Sequence, residues 1–456
     1  MRPLEIAVSI LLAVYLFWMK PRPLGIKLAP ALALLLALIH LAAEGYRWQM
    51  IPLYALTILL AAPILFQAEI PSPVSYVALV FLAAAVALPA LLPVPKIPTP
   101  GGSYSIGTAT YEMTDVARKE IYSGKDEARR FMIQVWYPAA IKPTDQQAAW
   151  MPRADVYAPV ISDFLELPSF FLNHLALVKV PAYQNAQLVA NETPFPLILF
   201  SHGWKGFNAQ NTGQALELAS RGFVVVAVQH TYGAITTVFP DGSVAPNNPN
   251  ALPADDNAAH YEETARILAK QWSGDLAYAL NQLEDPASET GAFFNSRVDF
   301  ARVGVYGHST GGGAAIQFCA DDARCKAVLG MDPFMRPVSE EVIASGVSQP
   351  SFFMFSQGWV DDAASRNNEL FHQFIPNAKN NLGVIEILGT KHHDFSDLPL
   401  LSPIAPQLGL KGPLNGARVV EISNAYLLNF FEETLNAAPS NLFEGKSPFV
   451  EVKTLR

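Results

Sequence analysis

The chain has 456 residues, with 31 Lys and Arg against 40 Asp and Glu, giving a formal net charge of −9 at pH 7. That length exceeds the needs of one ordinary domain, and the acidic balance argues against nucleic acid as a partner. The mean hydropathy is nevertheless positive, because the first hundred residues are almost free of charge; residues 101–456 alone carry 25 basic and 37 acidic residues, a net charge near −12.

Four apolar stretches open the chain, at about 4–19, 24–43, 48–68 and 72–93. The last three are long enough to cross a hydrocarbon core of about 30 Å, and the first is marginal. Lys20 and Arg22 follow the first stretch, Glu44 and Arg47 the second, and Glu69 the third. Trp18, Tyr46 and Trp48 stand near the expected ends, where amphipathic rings favour the headgroup level. Pro30, Pro52 and Pro63 are tolerable within membrane helices. The expected arrangement is a transmembrane region of about four helices over residues 1–95. His40 falls inside the second span, one turn from Glu44, which favours a solvated or capping histidine over a functional one. Lys20, Arg22 and Lys27 cluster in the first connection, which the positive-inside rule assigns to the cytoplasm. Four spans then leave the rest of this multi-pass membrane protein in the periplasm or extracellular space.

Residues 94–102 are rich in Pro and Gly and read as a linker, bounded at 96–102, before a second unit at 103–456. Strand-like segments follow at 103–113, 131–138, 196–201, 222–229, 302–307, 325–331, 350–356 and 384–389. Helix-like segments lie at 210–220, 259–284, 309–319, 338–346, 361–375 and 417–436. Near-continuous apolar strands alternating with helices predict an α/β fold, a mostly parallel sheet covered on both faces. Residues 143–190 and 231–256 are irregular and are expected to cap the carboxyl edge of the sheet.

The most informative segment is RVGVYGHSTGGG at 302–313, where an apolar run leads into Gly307-His308-Ser309-Thr310-Gly311. This G-x-S-x-G pattern between a strand and a helix start is a nucleophile elbow: the tight turn lifts Ser309 clear of the sheet, and Gly307 and Gly311 let the backbone close. A serine placed this way needs a base, an orienting acid and an oxyanion hole, the acid and base following on later strands. The base is expected after the last strand, at His392 or His393. For the acid, Asp332 ends the strand after the elbow helix, while Asp361 and Asp362 follow the next strand. The latter pair sits where a helix N-cap is expected, so Asp332 is favoured. The oxyanion donors are expected at the N–H of Thr310 and, from the Gly-containing turn after 196–201, the N–H of Trp204. Cys319 and Cys325 are six residues apart across a turn and are read as a disulfide, which suits an oxidising compartment. No second Cys/His pair has zinc-ligand spacing, so no metal and no cofactor is expected.

Five segments, LILFSHGWKGF, LASRGFVVVAVQH, VYGHSTGGG, LGMDPFMRPV and KHHDFSD, together resemble the platelet-activating factor acetylhydrolase family of the plasma, or lipoprotein-associated, type and its bacterial relatives. The resemblance spans about 103–435 and leaves the N-terminal region outside. It implies the α/β-hydrolase fold and a calcium-independent serine esterase that cleaves short or oxidised acyl chains from phospholipids. It supports Asp332, picks His392 over His393 through the spacing to Phe395, and maps the oxyanion donors to Trp204 and Thr310. Trp204 and Thr310 both depart from the residues usual in the family, which leaves the acyl preference open. The expected partners are therefore a small-molecule or lipid ester and the membrane. Two rival readings remain: a general carboxylesterase or polyester hydrolase, and a membrane sensing or transport protein whose hydrolase-like domain only binds.

Overall fold

The computed structural model describes every residue except 67, 69, 191–192, 255–259, 295 and 363–364. Glu69 and the expected helix start at 259 therefore lie outside the described residues.

The N-terminal region corrects the expectation of four spans. Two segments, Trp48–Leu65 and Ser72–Leu91, are long and apolar enough to cross a membrane. The other two form shorter apolar helices, α1 (Pro3–Phe17) and α3 (Ala29–Ala43), of 15 residues each. At 1.5 Å per residue each is only about 22 Å long. Proline sets both lengths. α1 ends before Pro21 and Pro23, and Pro30 offers no N–H to the preceding turn, so the stretch 24–43 splits into α2 (Leu24–Lys27) and α3. α4 (Ile51–Leu65) and α5 (Ser72–Leu91) complete the region.

A buried charge cluster closes one end of these helices. Glu5 accepts from Arg47 Nε at 2.7 Å, Arg47 Nη2 at 2.6 Å and Arg2 Nε at 2.9 Å, and Arg47 also donates to the Leu92 carbonyl at 2.6 Å. His40 is fully buried in this cluster rather than solvated, bonded to Tyr54 Oη and Arg2 Nη2 at 2.9 Å each. Its face of α3 turns toward the neighbouring helices, which its position near a span end did not reveal. Glu5, His40 and Glu44 lie close enough together for a metal site, but both Glu5 oxygens already carry arginine donors. At the other end, Lys20 Nζ donates to the Ile70 carbonyl at 2.6 Å.

The remainder is built on a twelve-stranded sheet. In chain order its strands are β1 (Ile106–Lys119), β2 (Ala128–Ala140), β3 (Gln147–Ala149), β4 (Lys179–Gln184), β5 (Gln187–Leu188), β6 (Phe195–Ser201) and β7 (Val224–Gln229). A separate hairpin, β8 (Thr236–Val238) and β9 (Val244–Pro246), precedes β10 (Val298–His308), β11 (Cys325–Met331), β12 (Ser351–Ser356), β13 (Asn381–Ile387) and β14 (Val452–Thr454). The spatial order is β14-β13-β12-β11-β10-β6-β7-β2-β1-β4-β3, with β5 beside β2. From β13 to β7 the pairs are parallel, and β2 turns antiparallel to both β7 and β1. The parallel centre is where the apolar runs are densest. Every residue of β6, β7 and β12 is buried, as strands covered on both faces must be.

Helices cover both faces. In chain order they are α6 (Ala154–Phe164), α7 (Thr212–Ser220), α8 (Tyr261–Glu284), α9 (Glu289–Phe294), α10 (Thr310–Asp321), α11 (Glu340–Ser345), α12 (Gln357–Asp361), α13 (Arg366–Phe374) and α14 (Gly416–Asn436). One core, with Leu276, Leu280, Ile316 and Phe374, packs α8, α10 and α13 against the sheet; the other, with Leu216, Tyr426 and Phe430, packs α7 and α14 on the opposite face. This is the α/β-hydrolase-like architecture expected. The stretch 143–190, read as irregular, contains α6 as well as the edge strand β3 and its neighbour β4.

The two parts touch. Trp48 Nε1 donates to the Phe171 carbonyl at 2.9 Å, Gln49 Nε2 bonds His174 Nδ1 at 2.8 Å, and Ser402 Oγ donates to the Leu91 carbonyl at 2.6 Å.

Candidate active site

β10 ends in the turn that carries Ser309, whose backbone adopts φ 55° and ψ −124° before α10 begins. A non-glycine residue held there costs about 1–3 kcal/mol, so the surroundings must over-determine it. They do. Ser309 N donates to the Met331 carbonyl at 3.0 Å, and its own carbonyl accepts from Phe334 N at 2.9 Å. The two glycines are required by close approach rather than by φ: a Cβ on Gly307 would strike the Gly311 carbonyl, and one on Gly311 would strike the carbonyls of Ser201 and His202.

Asp332 follows β11 with φ 42° and is fully buried. Its Oδ1 accepts from Ser356 N at 2.8 Å; its Oδ2 accepts from Ser356 Oγ at 2.6 Å and from His392 Nδ1 at 3.0 Å. Burial pushes this carboxyl up, and the two Ser356 donors pull it back toward the ionised form. Burial holds the His392 imidazole down, in the neutral state that can accept a proton. The ring stacks on Trp359 with centroids 4.5 Å apart and planes 19° from parallel. The His392 carbonyl in turn accepts from His308 Nε2 at 2.9 Å. His393 borders the same pocket, but Asp332 is joined to His392.

Asp361 and Asp362 stand elsewhere, exposed at the end of α12. The N-cap role expected of them is also corrected. Ser356 caps α12 by accepting from Trp359 N, and Ser365 caps α13 by accepting from Asn368 N.

Ser309, His392, His393, Gly203 and Trp204 line one pocket of about 160 Å³. Its walls are apolar, drawn from Trp150, Ile161, Leu165, Leu175, Phe207 and Leu401. Four of these six, Trp150, Ile161, Leu165 and Leu175, come from the 143–190 stretch. Thr310 is buried as the first residue of α10, so its N–H has no intrahelical acceptor. Trp204 follows Gly203 in the loop after β6. Cys319 and Cys325 are bonded, with S–S 1.97 Å, and tie the end of α10 to the start of β11.

Three features escaped the sequence reading. Ser356 and Trp359 flank the Asp332–His392 pair, and only their place at the end of a strand and just beyond it could have hinted at it. The third is a buried line in which Ser201 Oγ bonds His230 Nε2 at 2.9 Å and His230 Nδ1 bonds Asp275 Oδ2 at 3.0 Å. It imitates a catalytic arrangement, yet all three residues are fully buried and none borders the pocket. Arg129 holds Asp275 from Nε at 3.1 Å and Nη2 at 2.6 Å.

Comparison with known proteins agrees with the fold. Residues 92–445 match the family model described as platelet-activating factor acetylhydrolase, isoform II. The platelet-activating factor acetylhydrolase of Cavia porcellus is 29% identical over 358 residues, covering 74% of this chain and 78% of that protein. A probable 1-alkyl-2-acetylglycerophosphocholine esterase of Arthroderma benhamiae is 23% identical, covering 77% of this chain and 91% of its own length. Among solved structures, a ferulic acid esterase from Streptomyces cinnamoneus superposes with a TM-score of 0.65 at 23% identity, covering 80% of this chain and 100% of that one, a likeness of fold. The chain belongs to the platelet-activating factor acetylhydrolase, isoform II, family and is an ester hydrolase.

Proposed function

We propose that this protein is a membrane-anchored serine ester hydrolase that works through an acyl-enzyme, with short-chain or oxidised phospholipid esters as its substrates. The observation that carries the reading is Ser309 on its strained turn, sharing a pocket with a His392 that is bonded to buried Asp332 at 3.0 Å. His392 takes the Ser309 proton as the hydroxyl attacks the ester carbonyl. Asp332 holds the tautomer that leaves Nε2 free and stabilises the imidazolium. The N–H groups of Thr310 and Trp204 receive the oxyanion, the first reinforced by the dipole of α10. His392 then returns the proton to the leaving alcohol, and water hydrolyses the acyl-enzyme. The small apolar pocket suits a short acyl chain better than a long one.

Anchoring rests on Trp48–Leu65 and Ser72–Leu91, which turn Leu59, Val77 and Val80 outward, an apolar face that lipid would cover. Two crossings return the chain to its starting side. Lys20 sits at the end of the helices away from Arg47 and Leu92, which favours a cytoplasmic far end and an extracytoplasmic catalytic part. The Cys319–Cys325 bond favours the same address.

A second reading, a general carboxylesterase, draws on the aromatic walls at Trp150 and Phe207. Ser309→Ala should abolish ester turnover and labelling by an organophosphonate; persistent turnover overturns the serine mechanism. A short-sn-2 phospholipid compared with a soluble p-nitrophenyl ester separates the two substrate classes.

A further inference from the structure

The loop after β6 holds a polar chain that reaches the pocket from behind. His202 is fully buried between His230 and Trp272, with ring centroids 5.1 and 5.2 Å away. The backbone N–H of His230 donates to His202 Nε2 at 3.1 Å. A backbone N–H has no alternative role, so Nε2 must be the bare nitrogen and Nδ1 must carry the proton. Nδ1 lies 2.7 Å from the Gly203 carbonyl, to which it therefore donates. Gly206 N donates to the same oxygen at 2.9 Å.

The Gly203 carbonyl and the Trp204 N–H belong to one peptide unit. In a planar trans peptide these two groups point in opposite directions. Two donors on the oxygen thus set where the N–H points. Gly203, lacking a Cβ, would otherwise let this peptide rotate cheaply.

We propose that His202 is a positioning residue: by holding the Gly203 carbonyl through Nδ1–H, it aims the Trp204 N–H at the oxygen of the attacked ester carbonyl. The inference rests on the serine mechanism above and adds to it a residue that never touches substrate. Its tautomer is fixed in turn by the His230 backbone. Burial keeps the ring neutral, as the arrangement requires, since an imidazolium would set a second N–H against that of His230.

Two substitutions separate positioning from mere packing. Asn places its side-chain amide nitrogen near the position of Nδ1, whereas Gln reaches the position of Nε2 and leaves no donor at Nδ1. His202→Gln should lose about 100-fold in kcat with KM nearly unchanged, the loss expected when one oxyanion donor is misaligned. His202→Asn should stay within about tenfold of the parent by keeping the donor. Equal losses in the two variants, or a loss confined to KM, would overturn the proposal. A second readout needs no variant to be active. In long-range ¹H–¹⁵N spectra of the full chain at pH 7.5, His202 should show a protonated Nδ1 and a bare Nε2; the opposite tautomer or an imidazolium overturns it. Turnover by Ser309→Ala would instead sink the parent mechanism. With Ser309→Ala dead and the two His202 variants alike, only the positioning role fails.

Discussion

Replacing Asp332 with Asn tests the proposed acid, and the structure dictates what the amide would do. Asp332 Oδ1 faces the backbone N–H of Ser356 at 2.8 Å, an obligatory donor, so the oxygen of Asn must take that position. The amide nitrogen then stands where Oδ2 was, 2.6 Å from Ser356 Oγ and 3.0 Å from His392 Nδ1. The hydroxyl can turn to accept, but the imidazole can accept only by moving its proton to Nε2. That tautomer presents an N–H to Ser309 and cannot serve as its base. A wrong-tautomer defect of this kind costs about 10⁴ in kcat, or about 5 kcal/mol of barrier. The assay is hydrolysis of p-nitrophenyl acetate by Asp332→Asn and Asp361→Asn, with thermal melts to show that both fold. Asp361 is exposed, and its variant should stay within about twofold of the parent, as a surface change does. An Asp332→Asn enzyme within tenfold of the parent, or equal losses in both variants, would refute the assignment.

Two further outcomes concern stability. Burial alone would raise the Asp275 carboxyl, but Arg129, His230 and Arg118 hold it well below the carboxylate range. Asp275→Asn should therefore cost about 3 kcal/mol at pH 7, because it leaves buried Arg129 with Glu120 as its one ionised partner and takes a carboxylate from Arg118. Below pH 4 the unfolded parent binds a proton that the folded parent refuses, so its advantage should shrink by about 1.4 kcal/mol per pH unit. Urea unfolding at pH 7, 4 and 3 measures the gap, and a gap that widens on acidification contradicts the ion-pair account. Replacing Cys319 and Cys325 by Ser opens a short loop and should lower unfolding free energy by about 2 kcal/mol in the chain-entropy estimate. Unchanged stability in denaturant with and without reductant would show that the bond constrains little.

How much of this was legible in the sequence differs by layer. The strands β6, β7, β10, β11 and β12 announce themselves as apolar runs because parallel strands are buried on both faces, and the elbow follows from Gly307 and Gly311 around one serine. Membrane crossing was less legible. Composition counts apolar residues, but helix length depends on where N–H groups are missing, and Pro21, Pro23 and Pro30 cut the first two helices short. His40 was misjudged for a related reason: its partners Arg2, just before α1, and Tyr54, in α4, are distant in sequence, and no local pattern joins them. The pocket walls of α6 stayed hidden because Pro159 falls inside that helix, and a proline in mid-segment reads as a break.

The site itself is where local rules break, and the breaks are informative. Of the eight non-glycine residues with positive φ among those described, Lys205, Ser309 and Asp332 all belong to the candidate site or border its pocket. Positive φ is uncommon for any residue but glycine, even for Asp, and both of these are held by specific partners. Ser309 is held by Met331 and Phe334. Asp332 is held by its N–H to the Met354 carbonyl at 2.8 Å and by the two Ser356 donors. Strain that is confined to the ends of adjacent parallel strands and clamped from both sides is what a pre-organised pair of side chains requires. A relaxed turn at position 332 would carry the carboxylate away from its 3.0 Å bond to His392, and one at position 309 would carry the serine away from the pocket they share.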